Sequence, residues 1–454
     1  MAFATTNPTT GQVEKTFDEH TPEEVDRLLE RAATTFATYR RTSFEERARW
    51  MTTAAELLEG ELPAVASVLT TEMGKTFAAA KGEVGKCALT MRFYAERAES
   101  MLADEVIATS ASHSAIKYQP IGPVLAVMPW NFPLWQVVRF AAPALMAGNV
   151  GVLKHASNVP QSALLLEDLF RRAGFPDGAF TTLLVGSGSV AKIIADGRIA
   201  AVTLTGSEAA GRAVGAAAGD ALKKSVLELG GSDPFLVLSS ADLGAAVPMA
   251  AQARCINNGQ SCIASKRFIV VDELADEFLE RFSQAMADLV VGDPFDPATD
   301  VGPLVSDAQR EEVAGQVDDA KAKGAVVGTG ATIPDGPGFF YPPTVLSGIT
   351  PAMRVANEEV FGPVAVVERV ADIDEAIAVA NSIDYGLGAS IWATDPAEQQ
   401  RCIDEVESGM VFVNAMVSST PEMPFGGIKR SGYGRELSTI GIREFTNAKT
   451  VWIA

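Results

Sequence analysis

Sulfur and imidazole are scarce in this chain, whose 454 residues include 4 cysteines and 3 histidines. Cys87, Cys255, Cys262 and Cys402 stand far apart, with no Cys-x-x-Cys spacing and no cluster of His20, His113 and His155 beside them. Neither a structural zinc nor a disulfide framework is expected, and no metal is assigned. Positive charge is also in deficit: 37 Lys and Arg face 57 Asp and Glu, a net charge of −20. A polyanion of this kind is repelled by phosphate backbones and anionic lipid, so nucleic acid and membrane surfaces are poor partners. No apolar run reaches the length of a membrane span, because the longest, around Pro133 to Gly148, is broken by Gln136 and Arg139. The opening Met-Ala-Phe-Ala-Thr-Thr-Asn-Pro has neither the basic nor the apolar region of a secretory signal, and a cytoplasmic protein is expected. Apolar residues are plentiful, at 47% against 21% charged, with Gly and Pro scattered, which is globular composition. The length exceeds what one hydrophobic core supports, so two or more domains are expected.

The first hundred residues read as helices. Thr21 followed by Glu24, and Ser43-Phe-Glu-Glu, each begin a segment with capping-box spacing and apolar residues at helical intervals. From about Ile116 short apolar runs take over, at Val124 to Val127, Val150 to Leu153, Thr182 to Val185, Ala201 to Leu204 and Ser225 to Leu227, alternating with helical stretches. That alternation predicts a parallel, doubly wound sheet. After Gly230-Gly231 a second series, with strands at Phe235 to Leu238, Arg267 to Val271, Val364 to Val367 and Ala389 to Trp392, predicts a second α/β unit. The tail from Phe445 alternates weakly and suits a strand that pairs with another element or with another subunit.

Three residues stand out chemically. A lone cysteine is usually a small buried hydrophobe, the reading for Cys87, Cys255 and Cys402. Cys262 instead follows Asn-Asn-Gly-Gln-Ser, a turn-forming stretch between a helix and a strand, where a thiol can face a cleft as a nucleophile must. Glu228 ends an apolar strand next to a glycine pair, and is either a capping or solvated residue or a functional carboxylate. Asn131, between prolines in Pro-Trp-Asn-Phe-Pro, is either a turn residue or a fixed amide donor to a developing oxyanion.

Pro-Trp-Asn-Phe-Pro, Leu-Thr-Gly-Ser, Glu-Leu-Gly-Gly, Gly-Gln-Ser-Cys, Glu-Glu-Val-Phe-Gly-Pro-Val and Pro-Phe-Gly-Gly-Ile-Lys-Arg-Ser-Gly, in this order over essentially the whole chain, resemble the motif series of the aldehyde dehydrogenase superfamily. The resemblance implies two doubly wound Rossmann-type α/β domains and a small β oligomerisation element. Residues 1–101 and 121–229 would bind the dinucleotide, 230–437 would carry catalysis, and 102–120 with 438–454 would join subunits in a homodimer or homotetramer. It also implies that Cys262 attacks the aldehyde carbon, that Asn131 and the Cys262 N–H hold the oxyanion, and that Glu228 is the base that activates water against the resulting thioester.

For the cofactor the resemblance points to Lys154-His155-Ala156-Ser157 after a strand. An acidic residue at position 157 would favour a free ribose hydroxyl, whereas Ser157 leaves room for a 2′-phosphate that Lys154 helps neutralise, so NADP is expected over NAD. Ser157 or Asn158 is otherwise a helix cap. Gly206 and Ser207 lie at a strand-to-helix junction suited to a pyrophosphate. Glu359 would bind the nicotinamide-side ribose, and Phe361, Trp130 and Leu229 would line that cleft.

Arg139 lies in an otherwise apolar helix, where a guanidinium requires an anion: an internal carboxylate, or the remote carboxylate of the substrate. Family members acting on succinate semialdehyde use an arginine here, helped by a loop hydroxyl for which Ser419 is preferred over Ser418. The substrate is therefore expected to be succinate semialdehyde. Glutarate semialdehyde is one methylene longer, and an apolar funnel of Phe132 and Trp135 would suit broader aldehydes. A non-catalytic binding protein with the same fold is the alternative outside enzymology. Ile256 departs from the pattern, because many such enzymes have a second arginine there. Ala264 replaces the cysteine of members with a redox switch, so no such switch is expected.

Overall fold

The computed structural model describes residues 3 to 454. The chain begins with an antiparallel hairpin, Phe3–Asn7 against Gln12–Phe17, where the sequence suggested only helix. Helices Pro22–Tyr39 and Phe44–Gly60 follow, each starting with the expected reciprocal capping box, at Thr21 with Glu24 and at Ser43 with Glu46. Leu62–Met73 and the long helix Phe77–Met101 complete the helical segment. No helix among the described residues is long and apolar enough to cross a membrane.

A six-stranded sheet runs in the order Gly432–Tyr433, Lys224–Glu228, Ala201–Thr205, Pro123–Val127, Val150–Lys154, Phe180–Thr182. All neighbours are parallel except Gly432–Tyr433, which joins antiparallel from late in the chain. The central strands are buried on both faces, which explains why they read as continuous apolar runs rather than alternating ones. The run read at Thr182 to Val185 is strand only at its first residue, the observed strand being Phe180–Thr182. Starting from Pro123–Val127 the chain builds outward to one side, then crosses to add Ala201–Thr205 on the other. A crevice therefore opens at the carboxyl ends of these two strands, where the winding reverses.

The second sheet has seven strands: Val326–Thr329, Thr344–Ser347, Val364–Val370, Arg267–Val271, Pro234–Val237, Gly388–Trp392 and Met410–Val413, parallel except for the first. The chain leaves the first sheet at the carboxyl end of Lys224–Glu228 and joins the second at the amino end of Pro234–Val237, one short glycine turn later. Segments just before Arg267–Val271 and Val364–Val370 lie at those same amino ends. Asn131, Gly206 and Leu229 are thus brought opposite Cys262, Glu359 and Phe361.

The tail strand Thr446–Ile453 pairs along its whole length with His113–Pro120 of its own chain, which also carries Glu105–Val106 on its other edge.

Candidate active site

Cys262 sits on a loop whose shape is dictated by three residues in the left-handed region: Asn257 at φ 55°, Asn258 at 58° and Gly259 at 76°. Asn and Gly tolerate that conformation best, which is the physical content of the Asn-Asn-Gly signal. A Cβ on Gly259 would lie 2.3 Å from the Gly362 carbonyl carbon, so this position has no room for a side chain. The strained turn is held from all sides. Asn257 Nδ2 donates to the Asn131 carbonyl at 2.8 Å, Asn258 Nδ2 to those of Gly74 at 2.8 Å and Pro303 at 3.0 Å, and Arg254 to that of Gly259 at 2.7 Å. Buried Lys266 donates to the Cys262 carbonyl at 2.7 Å and pairs with Glu359 at 3.3 Å. Backbone strain this over-determined belongs at a site where geometry matters. Burial pushes the Cys262 thiol up to about 12, and the charges of Arg139 and Lys266 oppose it.

Asn131 faces this loop. Its Nδ2 reaches the Gln260 carbonyl at 3.2 Å, and its Oδ1 is buried without a partner. An amide Nδ2 carries two protons, so one remains for another acceptor. The Cys262 N–H makes no hydrogen bond among the described residues. Asn131 and Cys262 line the same cleft, each with a donor N–H to spare. The Asn131 loop is braced from behind by His155, which is buried and turned inward. The Ala156 N–H donates to its Nδ1 at 2.9 Å, which places the ring proton on Nε2, donating to the Pro133 carbonyl at 2.8 Å. Burial holds this imidazole neutral, its pKa lowered to about 4. The His155 ring, expected among cofactor contacts, instead braces the loop that ends at Pro133, and the Ala156 N–H holds that ring in place.

A cleft of about 240 Å³ opens from Cys262 along the crevice, lined among others by Trp130, Asn131, Ser207, Leu229, Glu359 and Phe361. Trp130 and Phe361 meet edge to face, with centroids 5.6 Å apart, and wall one end. Gly230 leaves room for the Glu359 carboxylate, since a Cβ there would lie 2.3 Å from its Oε2. The Gly206 N–H is taken by the Glu228 carbonyl at 3.0 Å. Gly206 and Ser207 both line the cleft, and the unpaired N–H groups of the first turn of Glu208–Asp220, capped by Ser207, remain for an anion. Lys154 ends the strand beside Pro123–Val127, partly buried and with no ion-pair partner among the described residues, and burial lowers its pKa. Ser157 lies three residues on, its hydroxyl unengaged and its carbonyl accepting from the Ala4 N–H at 3.2 Å. An uncommitted lysine and a free hydroxyl after one strand, and a helix N-terminus after another strand of the same sheet, fit a phosphorylated dinucleotide.

Glu228 is not in the cleft wall. Its carboxylate is buried without a hydrogen bond and packs against Gly426, where a Cβ would lie 2.5 Å from its Oε1. Burial, and then the neighbouring Glu436, push it well above the usual carboxylate range, against the pull of Arg139 and Arg435. In this conformer it is a neutral acid one layer behind Leu229 and Gly230. Arg139 belongs to the same layer. It forms an ion pair with Glu436, donates to Thr205 Oγ1 at 3.2 Å and stacks on Phe425 at 4.3 Å. Both members of the pair are buried, with side chains 1% and 5% exposed. Of the two anions expected for Arg139, the structure supplies the internal one, while the same side chain also lines the cavity that holds Cys262 and Ser419. Arg139→Ala would leave Glu436 and Glu228 as two buried acids without their cation, a loss of about 3 to 5 kcal/mol. Thermal unfolding should show it, together with a loss of turnover of similar size for charged and uncharged aldehydes.

A second cavity, also about 240 Å³, opens on the other side of Cys262. Phe132, Trp135, Ile256, Val417 and Phe425 make it largely apolar, and Ser419 is on its wall. The sequence did not single out Lys86, from helix Phe77–Met101, which also lines it and donates to Ser419 Oγ at 2.7 Å. Glu83, one turn earlier, caps the Trp135–Met146 helix by accepting from the N–H groups of Leu134 at 2.9 Å and Trp135 at 2.8 Å, and pairs with buried Lys75. The signal for Lys86 and Glu436 was weak: each is a charged residue in an ordinary amphipathic or loop segment, and only tertiary packing buries it.

Comparison with known proteins accords with this arrangement. The family described as the aldehyde dehydrogenase family matches residues 1–451. A Mycobacterium tuberculosis protein named succinate-semialdehyde dehydrogenase (NADP+) 1 is 59% identical over 457 aligned residues, covering 100% of both chains. The crystal structure of succinic semialdehyde dehydrogenase from Streptococcus pyogenes with NADP+ superposes with a TM-score of 0.98 at 39% identity, covering 100% of each chain. That of succinate-semialdehyde dehydrogenase from Burkholderia pseudomallei gives 0.97 at 35% identity, over 100% of this chain and 95% of the other.

Proposed function

This chain belongs to the aldehyde dehydrogenase family, and we propose that it oxidises succinate semialdehyde to succinate with NADP. The observation that carries the reading is the position of Cys262, which lines both cavities at once: one shaped for a dinucleotide, the other a short apolar pocket with cationic and hydroxyl groups in its wall. The full-length relatives named for this reaction support it.

Cys262 bonds to the aldehyde carbon as the thiolate. The carbonyl oxygen takes up the electron pair and is stabilised by Asn131 Nδ2 and the Cys262 N–H, donors already fixed by the loop contacts above. Bound NADP supplies the acceptor for the hydride lost as the adduct becomes a thioester, and a positive charge that favours the thiolate. Glu228, after its side chain turns from Gly426 toward the sulfur, takes a proton from the water that attacks the thioester; the C–S bond breaks and Cys262 is restored. Glu359 and the turn at Ser207 would hold the cofactor, and Lys154 and Ser157 would receive a 2′-phosphate.

The same reading assigns residues 1–101 and 121–229 to the dinucleotide, 230–437 to catalysis, and 102–120 with 438–454 to subunit contact in a cytoplasmic homodimer or homotetramer. Gly432–Tyr433 crosses that division to edge the first sheet.

The test is a comparison of kcat/KM for succinate semialdehyde and butyraldehyde, each with NADP and NAD. Preference for the charged aldehyde and for NADP is expected; equal efficiency on both aldehydes would contradict the substrate and leave a broad apolar funnel. Ser157→Glu places a carboxylate where the 2′-phosphate is read. It should move the NADP-to-NAD ratio of kcat/KM toward NAD by about tenfold or more, the consequence of a like-charge penalty of about 1.4 kcal/mol. An unchanged ratio would refute the role of that position.

A further inference from the structure

We infer that Lys266 is a positioning residue of the oxidation step: from behind the cleft it orients and polarises the peptide group whose N–H, on Cys262, stabilises the oxyanion, and it ties that group to Glu359. This rests on the covalent route through Cys262 proposed above and adds to it a residue that touches neither substrate nor cofactor.

Lys266 immediately precedes the strand Arg267–Val271, and its side chain is 1% exposed. It lines neither of the two cavities that meet at Cys262. An ammonium carries three protons, and all three have acceptors here. Nζ donates to the Ser261 carbonyl at 3.0 Å and to the Cys262 carbonyl at 2.7 Å, and pairs with Glu359 Oε1 at 3.3 Å. That same Glu359 oxygen accepts from the Gly231 N–H at 3.2 Å, which leaves Oε2 uncommitted. The other buried acid nearby, Asp233, is engaged by the Gly388 N–H at 3.1 Å and has no atom within ion-pair distance of Lys266 among the described residues. One lysine thus anchors a carboxylate of the cofactor cleft and the loop of the nucleophile together.

The Ser261 carbonyl and the Cys262 N–H belong to one planar, trans peptide group and point to opposite sides of it. Bonds to the carbonyl therefore fix where the N–H points. The Ser261 oxygen holds two donors, the Lys266 ammonium and the Ala264 N–H at 3.2 Å, so the plane cannot rotate without breaking both. On the opposite side the Cys262 N–H makes no bond among the described residues. A cation on the carbonyl also polarises the amide, and hydrogen bonds linked in a chain strengthen one another. Ammonium to carbonyl, then N–H to oxyanion, is such a chain, with complementary charge at its two ends. The same cation acts on the sulfur: burial raises the pKa of Cys262, Arg139 and Lys266 counter it, and Glu359 and Asp233 add to it.

The experiment places Lys266→Met, and separately Lys266→Gln, in a Glu228→Ala background that accumulates the thioester, and mixes each with NADP and succinate semialdehyde isotope-labelled at the aldehyde carbon. Difference infrared spectroscopy reads the thioester carbonyl, whose stretching frequency falls as the donors on its oxygen strengthen. Lys266→Met should move that band to higher frequency and slow the first release of NADPH about 10- to 100-fold, less than the roughly 10²- to 10³-fold that loss of a whole oxyanion donor costs. Lys266→Gln, neutral but still able to donate, should shift the band in the same direction by less, and it carries the test if Lys266→Met does not fold. A band and a rate that are the same with and without Lys266 would overturn its role and leave the covalent route standing. A slowed release with an unmoved band would also overturn it, because that is the signature of a residue that only stabilises the fold. If the Glu228→Ala background accumulates no thioester on Cys262, the covalent route fails, and this inference fails with it.

Discussion

Cys262→Ala should abolish aldehyde oxidation, lowering kcat on the order of 10⁴-fold or more, as removal of a covalent nucleophile does, while NADP still binds and the fold survives. The side chain is small and stands where two cavities meet rather than inside a packed core, so its loss removes little buried contact. The loop that presents it is fixed by main-chain and side-chain bonds of Asn257, Asn258, Gln260 and Lys266, none of which uses the sulfur. No other cysteine is placed to substitute: Cys87, Cys255 and Cys402 are buried elsewhere, and burial raises the pKa of each. Cofactor titration by fluorescence and a thermal melt alongside the kinetic assay separate loss of chemistry from loss of structure.

Glu228→Ala should give a different signature. If Glu228 serves the water step alone, the first turnover proceeds to the thioester and releases about one equivalent of NADPH per active site, after which steady turnover falls about 10²- to 10⁴-fold. The pH dependence follows from the structure. Burial and the nearby Glu436 keep the Glu228 carboxyl protonated above the ordinary range, and a protonated acid is no base. Steady turnover in the native enzyme should therefore rise as pH rises through the elevated Glu228 pKa, and that limb should vanish in the mutant. Rapid mixing over a pH series measures both; full steady turnover in Glu228→Ala would refute the role.

Local chemistry made part of this site legible in the sequence. The Asn-Asn-Gly turn announces a left-handed bend and thereby the exposure of Cys262; prolines fix Asn131; the capping boxes at Thr21 and Ser43 place two helix starts; and uninterrupted apolar runs identify strands buried on both faces. The amino-terminal hairpin was missed although Asn7-Pro-Thr-Thr-Gly11 is a turn signal, with Gly11 at φ 73°, because its strands are short and the second is largely exposed. Other failures were of a different kind. Arg139 demanded an anion, and the sequence offered two; the choice was made by Glu436, distant in the chain and delivered by the segment that also forms the edge strand Gly432–Tyr433. His155 stands in sequence between Lys154 and Ser157, yet its ring is buried against the Pro133 carbonyl. The sign for Lys86 is weak, since a lysine on an amphipathic helix is ordinarily solvated. Residues that touch through the backbone of one loop can be read from sequence; pairings made by tertiary packing between charged groups cannot.

The central claim is that one sulfur, shared by both cavities, carries the acyl group from aldehyde to acid. The most direct test mixes Glu228→Ala with succinate semialdehyde and NADP, quenches in acid, and locates the adduct by peptide mass spectrometry. The account requires one succinyl group per chain, bound as a thioester to Cys262 and formed in step with NADPH. NADPH produced in stoichiometric amount with no adduct, or with the adduct on another residue, would contradict it.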